Sequence, residues 1–111
     1  MTRDTLIAHL KDLPRQIREA EVALFHAEVY LTARREALHD RESCLLFAGL
    51  DGRNEAIRNA KLRADTSEER ELLLLAERDV AQRRMELRLV QGAFSAAKAI
   101  ARLISRDSDR E

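Results

Sequence analysis

Five apolar residues spaced seven apart, Ile17, Leu24, Leu31, Leu38 and Leu45, run through the first half of the chain. Seven residues make almost two α-helical turns, so a helix keeps all five on one stripe, whereas a strand would send them to alternate faces. Ala20 and Ala27 lie beside that stripe, and neither Gly nor Pro interrupts the stretch from Arg15 to Ala48. The rest of the composition agrees. Three Gly, one Pro and 4% aromatic residues are too few for the turns and packing of a β-sandwich, a Rossmann unit or a disulfide scaffold. Of the 111 residues, 66 are Ala, Glu, Lys, Leu or Arg, a proportion that marks long helices or coiled coils. The apolar residues fall into stripes, which excludes disorder.

Punctuation along the chain divides it into four predicted helices. Pro14 has no N–H to donate and disfavours helical geometry at Leu13, so a short helix over 5–12, with Asp4 as its N-cap, is expected to stop before a second begins at Pro14. The second runs over 14–48 and ends at Gly49-Leu50-Asp51-Gly52. Asn54 caps a short connector helix over 54–64. Asp65-Thr66-Ser67 breaks it, and Thr66-Ser67-Glu68-Glu69 matches the capping box that opens a last helix over 67–105. Residues 1–106 form one helical domain in this reading, and 107–111 a polar tail. The two long helices measure about 50 and 58 Å. Their similar lengths and compact connector predict an all-α, coiled-coil-like antiparallel hairpin. The matching stripe on the last helix is Leu73, Ala76, Val80, Leu87, Val90, Phe94, Ala97, Ala101 and Ile104.

Each long helix carries a second apolar row that a lone hairpin leaves wet. On the first it is Val22, Phe25 and Val29; on the last it is Met85, Leu89, Ala93, Ala96, Ile100 and Leu103. Either the two short helices fold over these rows in a monomeric bundle, or a second copy covers them. The rows are long for helices of eight or nine residues, so a homo-oligomer is expected, with Val22, Phe25, Val29, Met85, Leu89, Ala96, Ile100 and Leu103 at its interface.

The formal charge is zero, 20 basic against 20 acidic residues, but it is unevenly spread. Residues 65–80 hold 2 basic and 6 acidic groups, whereas 81–106 hold 6 and 1. Acids at a helix start and bases near its end complement the macrodipole, though only within the end turns. Arg84, Arg88, Gln91, Ser95, Lys98 and Arg102 step by three and four into one narrow row, with Arg70 on the same line further back. Arg53, Arg58, Lys61 and Arg63 form a second basic cluster at the connector. Such a row either follows a phosphodiester backbone, since guanidinium forks two phosphate oxygens, or is a solvated helix face. With Phe25, Tyr30, Phe47 and Phe94 as the aromatics, binding of nucleic acid would be driven by the backbone and insensitive to base sequence.

Catalysis finds little support. His9, His26 and His39 are too scattered to chelate one ion, no metal, phosphate-loop or nucleophile motif is present, and no cofactor is implied. Cys44 reads as a small half-buried helix residue; a lone cysteine fits a reducing cytosol. No apolar run has the length of a signal or a membrane span, so a cytoplasmic protein without membrane contact is expected.

Gly52-Arg53-Asn54-Glu55-Ala56-Ile57-Arg58-Asn59-Ala60-Lys61-Leu62, followed by a long Glu-, Leu- and Arg-rich helix, resembles small phage-encoded helical proteins. The order of parts over residues 15–105 is similar to that of the UvsY-type recombination mediators of T-even phages: long helix, glycine-kinked basic connector, long C-terminal helix. The chain is shorter than those and lacks their Trp and Tyr enrichment. The resemblance implies a ring-forming protein of the bacterial host cytoplasm that binds single-stranded DNA and works beside a recombinase and a single-strand-binding protein. Arg53, Arg58, Lys61 and Arg63 would then fall in the connector region and the C-terminal apolar rows would assemble the ring, while the spacing itself puts Arg84, Arg88, Lys98 and Arg102 forward as further nucleic-acid contacts. Two other readings act through protein contacts alone: a structural coiled-coil adaptor or assembly chaperone, and a small phage-type inhibitor.

Overall fold

The computed structural model describes residues 2–49 and 54–110, with side chains through Ser108. Three helices follow in order: α1 (Arg3–Phe47), α2 (Glu55–Asp65) and α3 (Ser67–Arg110). No strand occurs among the described residues.

Thr2 starts α1, not Asp4. Its Oγ1 accepts the Thr5 N–H at 3.2 Å, which satisfies one of the orphan donors at the helix start, and its carbonyl accepts the first intrahelical bond from the Leu6 N–H at 3.0 Å. Asp4 falls in the first turn, where its charge favours the helix dipole. The expected break before Pro14 does not occur, and α1 passes through the proline. Leu6, Leu10 and Leu13, on the turns before it, pack in one cluster with Val90, Phe94, Ala97 and Ala101. That burial outweighs one missing hydrogen bond, and Pro14 itself sits on the exposed side. Gly49, at φ +81°, takes the left-handed conformation just beyond α1 that an L side chain resists. The Leu50–Gly52 part of the expected terminator lies outside the described residues.

Asn54 caps α2 as expected, its side chain accepting the Ile57 N–H at 2.9 Å. The capping box does not form. Thr66 is the one residue between α2 and α3 (φ −113°, ψ 16°), and its hydroxyl turns back to donate to the Leu62 carbonyl at 2.7 Å. The Thr66 N–H reaches Leu62 O and the Arg70 N–H reaches Thr66 O, so hydrogen bonding runs through the joint almost as in a continuous helix. At its other end α3 extends to Arg110, so the expected polar tail is helical through that residue. Nothing from Arg106 to Arg110 is a Gly or Pro that would stop it.

The contacts group the chain into two units. In one, Met1–Phe25 pairs with Gln82–Glu111; the other is His26–Ala81. In the first, Leu6, Leu13 and Ala97 are buried, and the opening turns of α1 (Arg3, Leu6, Ile7, Leu10) border a depression with Ala101, Ile104, Ser105 and Ser108 at the close of α3. In the second, Ala27, Leu31, Ala76 and Val80 are buried. There the closing turns of α1 meet the opening turns of α3: Arg70 Nη2 donates to Glu42 Oε1 at 2.9 Å, and Arg41 lies 4.0 Å from Glu69. Both have the pairing order of antiparallel helices. The seam on α1 follows 6, 10, 13, 17, 20, 24, 27, 31, 34 and 38, each buried or half-buried, and so keeps the 4-3 spacing of a coiled-coil stripe.

Candidate nucleic-acid interface

A helix that buries one stripe must place the rest of its surface in solvent, and α3 divides that remainder into a cationic arc and an apolar one. Arg84, Arg88, Lys98 and Arg102 are all exposed, as are Gln91 and Ser95 between them. Lys98 Nζ sits 4.6 Å above the centroid of the Phe94 ring, whose π face holds the ammonium without neutralising it. Arg102 and Arg106 border a shallow depression floored by Ala99 and Leu103. The one acid between 81 and 106, Glu86, is engaged by Arg83 at 3.5 Å and Gln82 at 3.3 Å. Among the described residues, Arg88, Lys98 and Arg102 make no ion pair. The unit that carries them has 11 basic and 8 acidic residues, a net +3; the other has 9 and 12, a net −3. The balanced total conceals unequal charge in the two units.

The connector cluster belongs to the second unit. Arg58, Lys61 and Arg63 are exposed on α2, a helix with no buried residue, and Arg53 lies outside the described residues. A covering role for α2, as in the monomeric bundle, is therefore not what it performs: it hides no apolar row. Arg70, which the spacing places on the line of the α3 row, has a different task. Its Nε donates to Thr66 Oγ1 at 2.9 Å and its Nη2 to Glu42, so it ties the α2–α3 joint to α1.

The second apolar rows are exposed as expected: Val22 50%, Phe25 61% and Val29 53% on α1, and Met85 56%, Leu89 66%, Ile100 36% and Leu103 60% on α3, with Ala93 and Ala96 also open. Phe47, counted in the sequence only among the aromatics and not in either apolar row, is 95% exposed at the end of α1. The signal was available, since Phe47 lies two residues past Leu45 and so off the seam stripe. Cys44 is exposed, not half-buried, because it too lies beside that stripe.

His9, His26 and His39 are exposed, and among the described residues no three His, Cys, Asp or Glu side chains come together as a metal site. The perturbed titrating groups are a surface pair. Arg15 donates to Asp12 (2.5 Å) and to Glu19 (2.6 Å), and Gln16 also donates to Asp12. The hydrogen bond from Arg15, then that from Gln16, holds the Asp12 carboxyl below its ordinary range, and Asp12 in turn pushes Arg15 upward. No described helix is long and apolar enough to cross a membrane.

Fold and surface thus define an all-helical protein with a long packed helix pair, whose α3 presents one cationic and one apolar arc to solvent. No family model matches the chain, and neither the curated proteins nor the solved structures contain a significant match to it.

Proposed function

We propose that this chain is a non-catalytic, self-associating accessory protein that holds single-stranded nucleic acid by its phosphate backbone, in the manner of a recombination mediator. The observation that supports this reading is the exposed row Arg88, Lys98 and Arg102, without an ion pair among the described residues, in a unit of net positive charge. Cations left without carboxylates on a helix that could have carried them are suited to an anionic partner supplied from outside. Arg84 extends the row, and Arg58, Lys61 and Arg63 add a second basic surface on α2. Self-association multiplies the contacts and gives avidity that one short row lacks. A recombinase or single-strand-binding protein would be the protein partner on this reading, in a cytoplasm that a phage origin would make bacterial.

The exposed apolar rows also favour a second reading, a coiled-coil adaptor whose arginines merely face solvent. One titration separates the two. Labelled single-stranded DNA at low salt should raise its fluorescence anisotropy with an affinity on the order of micromolar. Three phosphate contacts give a log–log salt slope of roughly −2. Replacing Arg88 and Arg102 by Glu should abolish that binding. A flat titration of the wild-type chain refutes the nucleic-acid reading, and so does full binding by the double variant.

A further inference from the structure

The apolar row of α3 has an internal symmetry that the proposed self-association does not by itself require. Read forward, Met85, Leu89, Ala93, Ala96, Ile100 and Leu103 run large, large, small, small, large, large; read backward the order of sizes is unchanged. Laid antiparallel on itself about a midpoint between Phe94 and Ser95, the row sets Ala93 against Ala96 and Leu89 against Ile100, with Met85 and Leu103 one residue out of direct register. Large side chains then interlock at both ends, and the backbones come closest at the middle. All six residues are exposed, so the row is open to a partner.

Gly92 supplies an independent observation. It lies in the middle of α3, where glycine is the poorest helix former after proline, and it keeps no special backbone angle. A Cβ built on it would meet nothing within 4 Å, so no neighbour in its own chain accounts for the missing side chain. The position borders the small middle of the row, where a second helix would approach most closely.

We propose that the 85–103 face of α3 is an isologous interface with a second copy of this chain, the two α3 helices crossing antiparallel at Gly92, Ala93 and Ala96. The proposal rests on the self-association in the reading above, and it adds the partner surface and a consequence. The two-fold axis of such a pair stands perpendicular to the plane of the two helices, so each side of the pair maps onto itself. The two rows of Arg88, Lys98 and Arg102 therefore fall on the same side of the pair, one along the outer flank of each helix.

The test uses the full chain without nucleic acid, in a Cys44→Ala background. Ala93→Cys and Ala96→Cys proteins are mixed and oxidised, and the cross-linked species are separated by mass after tagging one of them. An antiparallel crossing yields mixed 93–96 dimers well in excess of either homodimer. Equal or dominant homodimers, or no cross-link, overturn the proposal. Sedimentation of the otherwise unmodified chain adds a second measurement. Gly92→Leu should weaken association about tenfold or more by overpacking the crossing while leaving the helical circular dichroism intact. Unchanged association in that variant also overturns the proposal. The failure of the nucleic-acid reading is distinguishable: mixed dimers beside a flat DNA titration remove that reading and leave the interface standing. DNA binding by a chain that gives no mixed dimers does the reverse.

Discussion

Thr66 is the only fully buried polar residue among those described, and replacing it by valine isolates one hydrogen bond with little change in shape. Its hydroxyl donates to Leu62 O at 2.7 Å and accepts from Arg70 Nε at 2.9 Å. The Leu62 carbonyl keeps a partner in the valine variant, because the residue 66 N–H also reaches it, at 3.1 Å. The loss is therefore concentrated on the Arg70 bond. A hydrogen bond to a charged donor contributes about 1.5–3 kcal/mol, and removing its acceptor from a buried site costs on that scale. Arg70 is 40% exposed, so water replaces part of the loss, and about 1 kcal/mol remains for Thr66→Val. For a chain of this size that lowers Tm by about 4 °C. Urea unfolding followed by far-ultraviolet circular dichroism measures it, at one fixed protein concentration because any assembly makes the midpoint depend on concentration. The same substitution in an Arg70→Met background should cost almost nothing, a coupling of about 1 kcal/mol between the two sites. A Thr66→Val protein as stable as wild type refutes the argument, as does an unchanged cost when Arg70 is already gone.

Three further outcomes follow from the packing and charge. Leu13→Ala empties a site that is 7% exposed beside Leu6 and Ala97, and should cost about 2–4 kcal/mol in the same assay, whereas Leu103→Ala, 60% exposed, should stay within about 0.5 kcal/mol at protein concentrations below those of assembly. Pro14→Ala should raise stability by about 1–3 kcal/mol, since it restores a helical N–H at an exposed position; an unchanged midpoint would mean that α1 is already distorted there for another reason. Asp12 is held below its ordinary value of 3.8, so its contribution is present above that pH and is lost as pH falls through the lower folded-state value. Unfolding curves of wild type and Asp12→Asn should separate above pH 3.8 and converge in stronger acid, and parallel curves throughout would contradict the assignment.

What could be read from the residues, and what could not, divides by the range of the interactions involved. The seven-residue repeat of Ile17, Leu24, Leu31, Leu38 and Leu45 and the matching stripe on α3 are local, and together they were sufficient for the class of fold, the seam and the exposure of Val22, Phe25, Met85 and Leu103. Asn54 was legible for the same reason, since an N-cap acts over three residues. Pro14 and Thr66 misled because their local preferences lost to contacts distant in sequence. Pro14 stays helical because the leucines around it pack on α3, and Thr66 forgoes the capping box because Arg70, tied to Glu42 on α1, claims its hydroxyl. The cationic row shows the same division. Periodicity placed Arg70 in line with Arg88 and Arg102, but only the fold separates an arginine that spans two helices from those left facing solvent, because ion pairing depends on which carboxylate the tertiary structure brings within reach.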